Sequence, residues 1–285
     1  MNTFNFNRFS QALKCQFLVN RKKWIQLFCI FTLVFLFGSL FLTRGRGMGY
    51  DYMVAQWEPQ QLYETYTRYV KTTVNFGVTV FCFFMLAAAG SMFLQMKDTR
   101  NRSAYLLWPV SNLEKYIVNL LHSVVLTAIL AFVAYVLADA LRVFVDWSTG
   151  RIIIWGIPKL FEHIRVNIVS EYWQDNWMTL TWAFYIHSLF IVGGTLFRRQ
   201  HFLMTSATIV IFTILLVTIL NQIDLPFDYF KTSVWDENTM RYITTFHPAF
   251  YVLHSVLCIL VIFHYWLSYK LFTRMQVINN KWLNV

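Results

Sequence analysis

Seven histidines and four cysteines are the side chains in this 285-residue protein best suited to hold a metal or to act as base and nucleophile. Their spacing assembles no site. Cys15, Cys29, Cys82 and Cys258 form no C-x-x-C pair and no Cys/His ligand set, and three lie inside apolar runs, so they read as small core hydrophobes. His122, His187, His254 and His264 also fall in apolar stretches. His254 and His264 are ten residues apart, nearly three helical turns, and no carboxylate shares their runs. Catalysis inside a membrane needs paired acids, a His-x-x-x-His set or an activated serine. Packing and interhelical hydrogen bonds are the expected work of these histidines.

Nucleotide chemistry has no foothold either. There is no G-x-x-x-x-G-K-[ST] loop to cradle phosphates, so any ATP hydrolysis must come from another chain, and this one is expected to be neither an enzyme nor a cofactor carrier. A protein driven by an ion gradient usually buries Asp, Glu or Arg in the bilayer. The nearest candidate is Asp139, at the outer end of an apolar run.

The elements that carry these residues follow from composition. Hydrophobic residues make up 57% of the chain and charged residues only 13%, against roughly 25% charged in an ordinary soluble domain. A hydrocarbon core about 30 Å thick takes roughly 20 apolar residues per helix. Six uncharged runs of that length are present, at about 24–43, 72–96, 116–138, 177–197, 202–223 and 248–269. The fold expected is a single all-α polytopic membrane domain over residues 1–285. The first run is too long for a signal peptide and lacks a small-residue cleavage site, so it reads as a retained span.

Basic residues alternate between the connecting segments. Residues 1–23, 97–115, 198–201 and 270–285 hold 14 Lys and Arg against 2 acids, whereas 44–71, 139–176 and 224–247 hold 10 against 12. The positive-inside rule then places both termini in the cytoplasm of a multi-pass protein, expected in the cell inner (cytoplasmic) membrane. The net charge of +10 is spread over short juxtamembrane segments that face anionic lipid, which argues against a nucleic-acid partner.

Two cytoplasmic segments stand out. At the amino terminus Phe6, Phe9, Leu13, Phe17 and Trp24 fall on one helical face and Arg8, Gln11, Lys14, Arg21 and Lys22 on the other, a pattern for an interfacial helix. It reads either as a simple anchor or as an elbow that also touches a cytoplasmic partner. Between the second and third runs, KDTRNRSAYLLWPVSNLEKYIVNLL (97–121) places Arg100 and Arg102 before Tyr105, Leu106, Leu107 and Trp108, followed by Pro109 and a Ser111-x-x-Glu114 capping box. Proline ends the preceding segment, and the serine and glutamate satisfy free amides at a helix start. This segment is either a contact surface or a hydrophobic patch on lipid headgroups.

The stretch LLWPVSNLEKYIVNLL (106–121) resembles the LP-x-S-x-x-E-K stretch of membrane subunits of type-2 ATP-binding-cassette transporters, particularly versions from Bacteroidetes. The strong match covers about 25 residues, and Trp108 stands where Leu or Met is expected. The order of parts is similar too: an amphipathic amino-terminal helix, then six spans with both termini inside. The resemblance implies that residues from about Lys97 to Lys115, with Arg100, Arg102, Trp108, Pro109, Ser111, Glu114 and Lys115, contact a separate cytoplasmic ATPase. It also implies a smaller second contact at Arg198 and Arg199, in the turn to His201, and pairing with a second permease subunit, identical or homologous. The function implied is export of a substrate on energy from that ATPase. A non-transporting scaffold or sensor subunit of the same topology is the rival reading.

The outer segments are rich in aromatics: Tyr50, Tyr52, Trp57, Tyr63, Tyr66 and Tyr69 precede the second run, and Trp147, Trp155, Tyr172, Trp173 and Trp177 precede the fourth. Such residues favour the headgroup level and read as a belt. Leu160, Ile164 and Ile168, beside Phe161, repeat at helical spacing and predict a surface-lying outer helix. Asp224, Asp228, Asp236 and Glu237 make 224–247 the most acidic segment, read as a solvated loop or a surface for a cationic substrate.

Overall fold

A computed structural model describes residues 4–44, 54, 57–94, 103–105, 107–169, 173–197, 200–222, 231–236 and 241–274. Its elements, in order, are α1 (Phe6–Val19), α2 (Arg21–Arg44), α3 (Pro59–Gly90), α4 (Asn112–Leu120), a π-helical turn (Leu121–Val125), α5 (Leu126–Ser148), α6 (Gly156–Val169), α7 (Trp173–Leu196), α8 (His201–Gln222), an antiparallel hairpin β1 (Lys231–Asp236) and β2 (Arg241–Phe246), and α9 (Pro248–Thr273). Local chemistry sets several boundaries. The Asn5 side chain accepts from the amides of Asn7 and Arg8 and caps α1. Pro59 and Pro248 open α3 and α9, where a missing N–H costs nothing.

Six helices are long and apolar enough to cross a membrane: Arg21–Arg44, Pro59–Gly90, Asn112–Ser148, Asn176–Leu196, His201–Ile219 and Pro248–Thr273. This is the six-span helical architecture read from the uncharged runs. Large apolar side chains cover their outward faces; Phe212 and Ile214 on α8 are 62% and 60% exposed. Large apolar side chains exposed along a helix in this way are expelled by water and suit lipid.

Two helices outrun the expected spans. The third runs 37 residues, from Asn112 to Ser148, about 55 Å at 1.5 Å per residue, well beyond a hydrocarbon core of about 30 Å. α3 has 32 residues and begins at Pro59, not at 72. Residues 59–71 and 139–148, read from sequence as loops, are therefore helical. The segment 224–247, read as a loop, contains the hairpin; Asp224, Asp228 and Glu237 lie outside the described residues.

The chain divides into two compact units, Met1–Ala88 with Ile117–Asn167, and Ala89–Tyr116 with Ile168–Val285. In the first, α2 packs along α5. Ala131, Ala134 and Ala138 present a small-residue face to Phe31 and Phe35, with Phe84 of α3 stacked on Phe31 at 4.0 Å. Residue numbers rise together on α2 and α5 and fall on α3, the order expected when successive spans alternate in direction. Small residues let helix backbones approach where lipid offers no hydrophobic drive for association.

α1 docks in the same unit by its Ala12 and Gln16 line, both buried, and Gln16 Nε2 donates to Asn119 Oδ1 at 2.7 Å. Phe6 and Phe17 stay exposed on another face. The helix therefore has two working faces, one packed on its own chain at Asn119 and one apolar; the sequence pattern marked the apolar face and left a partner contact open, and did not show this intramolecular one.

In the second unit α7 and α9 run parallel and are joined by side-chain hydrogen bonds at successive levels: Thr181 with His254 (3.5 Å), His187 with Tyr265 (3.1 Å) and Ser188 with His264 (3.0 Å). These are the interhelical bonds expected of the span histidines; His122, in the first unit, instead meets the Trp24 ring at 4.5 Å. α8 folds back on α7 at Gly193, where a Cβ would collide with Thr205, and Gly194 faces the end of α3. A Cβ at Gly194 would stand 2.8 Å from the carbonyl oxygen of Gly90, so glycine is required by backbone approach. The four cysteines are free and lie on outward helix faces, a correction to the core positions expected.

Candidate functional site

Two arrangements carry polar chemistry. The first is the turn before α4, in the second unit. Ser103–Tyr105 make one helical turn, Leu107 N donates to Ser103 O, and Trp108 N donates to Tyr105 O. Trp108 rests against the Tyr105 ring at 5.3 Å. The capping box is formed as the sequence predicted: Ser111 N donates to Glu114 Oε2 at 2.7 Å and Glu114 N to Ser111 Oγ at 3.2 Å. Tyr105 is buried, and its hydroxyl donates to the Lys115 carbonyl at 3.2 Å, tying the turn to the first turn of α4.

Burial sorts the residues singled out here. Glu114 is fully buried and Lys115 is 4% exposed, so neither presents its side chain outward; they hold the turn. Leu107 is 82% exposed and Pro109 is exposed beside it, an apolar knuckle whose backbone is fixed by the bonds beneath. Trp108 and Ser111 are half-buried. Arg100, Arg102, Arg198 and Arg199 lie outside the described residues.

The second arrangement, in the first unit, sits where α5 outruns the expected span. Asp139, Arg142 and Asp146 fall at i, i+3 and i+7, on one helix face, and all three are at least 95% buried. Arg142 Nη2 donates to Asp139 Oδ1 at 2.7 Å, Nη1 donates to Asp146 Oδ2 at 3.0 Å, and Nη2 also reaches the carbonyl of Ile154 at 2.6 Å. Tyr66 of α3 donates to Asp146 Oδ2 at 2.5 Å. Arg44, at the end of α2, adds a contact to Asp146 Oδ1 at 3.4 Å and a hydrogen bond to the Val145 carbonyl. Asp139 Oδ2 accepts from the amides of Gly156 and Ile157, the free donors at the start of α6.

The two arginines balance the two aspartates, and each carboxylate has several donors. Isolated buried charges cost several kcal/mol each unless paired and hydrogen-bonded in this way. The network is thus a clamp joining α2, α3, α5 and α6. It also occupies Asp139, the acid singled out as a candidate ion site, with Arg142 and a helix start. Tyr66, read from sequence as a belt residue, is a buried member of the clamp, while Trp57, Tyr63, Trp147, Trp155 and Trp177 are exposed.

No family model, curated protein or solved structure matches the chain. What the geometry establishes is a multi-pass helical membrane protein with a rigid, capped turn before its third span and a buried ionic clamp at that span's other end. Among the described residues no three His, Cys, Asp or Glu side chains converge as a metal site.

Proposed function

We propose that this chain is the membrane-spanning permease subunit of an ATP-binding-cassette exporter, energised by a separate cytoplasmic ATPase. The observation that carries the reading is the turn before α4. Its reciprocal Ser111–Glu114 cap and the Tyr105–Lys115 bond make it stiff, and it presents Leu107 and Pro109 outward at the start of a helix that continues to Ser148. A push on such a knuckle is transmitted to a span, because a capped helix end moves with its helix. The resemblance of residues 106–121 to the type-2 permeases, the amphipathic α1, the six spans and the alternating basic segments support the same reading.

In operation, ATPase closure presses the 103–111 turn and tilts the third span, opening a path at the interface with a second permease subunit. The energy comes from the partner, so the permease needs no nucleotide motif of its own. The test reconstitutes the full chain with a co-purified P-loop ATPase and measures permease-stimulated ATP hydrolysis. Leu107→Asp leaves the buried cap untouched and should lower stimulation at least tenfold, with membrane insertion and thermal stability unchanged. Full stimulation by that variant, or purification without any P-loop ATPase, overturns the coupling role and favours the scaffold or sensor alternative.

A further inference from the structure

The first unit contains a cleft that neither the clamp nor the coupling turn uses. It has a volume of about 190 Å³ and is lined by Lys71, Val74 and Asn75 from α3 and Lys159, Glu162 and His163 from α6. Lys159 Nζ lies 2.9 Å from Glu162 Oε2 and Lys71 Nζ lies 3.4 Å from Glu162 Oε1. Two ammonium groups thus share one carboxylate, and among the described residues no other acid lines the cleft. The hydrogen bond from Lys159, reinforced by the charges of Lys159 and Lys71, holds the Glu162 carboxyl below its ordinary range. Glu162 is therefore anionic at neutral pH, and the lining still carries one positive charge in excess.

We propose that this cleft binds a phosphate ester of net negative charge, held between the ammonium groups of Lys71 and Lys159, with the Asn75 amide within the same lining.

Three observations support this. Lysine is a compact point charge suited to phosphate oxygens. The volume is below the roughly 300–1,000 Å³ of sites for drug-sized ligands, which suits a headgroup fragment. Depth is the third: Lys71 immediately precedes the uncharged run from 72, so the cleft stands where an apolar run begins. Lysines at the end of an apolar run match the interfacial level of a membrane, where their long side chains reach headgroup oxygens. The cleft is also rigidly placed, because Asp139 fixes the start of α6 through the Gly156 and Ile157 amides.

The test is native mass spectrometry of the full chain in detergent, with added dioleoyl-phosphatidylglycerol or dioleoyl-phosphatidylcholine, and with glycerol 3-phosphate as a soluble probe. The expected result is preferential retention of phosphatidylglycerol over phosphatidylcholine. A solvent-exposed ion pair contributes up to about fivefold to binding. Lys71→Ala and Lys159→Ala should therefore each weaken retention by up to about fivefold, and Glu162→Gln, which removes the internal counter-charge, should strengthen it. All three residues are partly or largely exposed, so the variants keep their fold. Lysine-dependent binding of glycerol 3-phosphate without lipid retention also supports the phosphate site and names a soluble source. Unchanged binding in the Lys71→Ala/Lys159→Ala variant, weaker binding in Glu162→Gln, or binding of neither anionic probe overturns the proposal.

Discussion

Arg142 shows how a charge is made tolerable in this protein. It is fully buried, its guanidinium bonds two carboxylates and a carbonyl, and the two aspartates in turn take Tyr66, Arg44 and the first amides of α6. Breaking one partner of a buried pair leaves the others uncompensated. Arg142→Met should therefore lower stability by about 3–5 kcal/mol, read as the unfolding midpoint of the purified protein in detergent. The triple variant Asp139→Leu/Arg142→Met/Asp146→Leu, which removes all three charges together, should recover much of that loss. Equal stability of Arg142→Met and the native chain would show that the clamp holds nothing. The spacing of these three residues is present in the sequence, but Arg142 and Asp146 read as loop charges and Asp139 as a lone acid at the outer end of a span. Uncharged length marks where lipid ends, and a helix that continues past that point leaves no such mark.

At the scale of elements the sequence was most informative where chemistry is local. The Ser111–Glu114 cap forms as its spacing predicts, and the 3.6-residue repeat of Leu160, Ile164 and Ile168 falls within α6. Long-range partners were not legible: nothing in residues 59–71 signals that Tyr66 meets Asp146, 80 positions away. The π-helical turn Leu121–Val125 leaves no mark in the sequence either, where it lies inside one uncharged run. A π turn accommodates one additional residue while its flanking helices keep their phase. Deletion of Ser123 should thus relax the turn to α-helix and preserve both the Gln16–Asn119 bond and the clamp. Deletion of Leu130, in regular helix, rotates one flank by about 100° and should prevent both from forming. Folded yield and unfolding midpoint of the two deletions distinguish these outcomes; equal loss in both would contradict the phase argument.

For the whole molecule, the six-span helical architecture follows from composition and uncharged length, and the side-by-side order of α2, α3 and α5 agrees with it. On the proposed reading, the turn before α4 is the feature that gives such an architecture a mechanical input. Its residues divide the work: Glu114, Lys115 and Tyr105 are buried and stiffen it, while Leu107 and Pro109 face outward. The most direct measurement is site-specific photo-crosslinking from position 107 of the full chain in native membranes, with the adduct identified by mass spectrometry. The expected adduct is a P-loop ATPase, lost when the same probe is placed at Phe212, exposed within the α8 span. Crosslinks from position 107 to lipid or to this chain alone would contradict the permease reading.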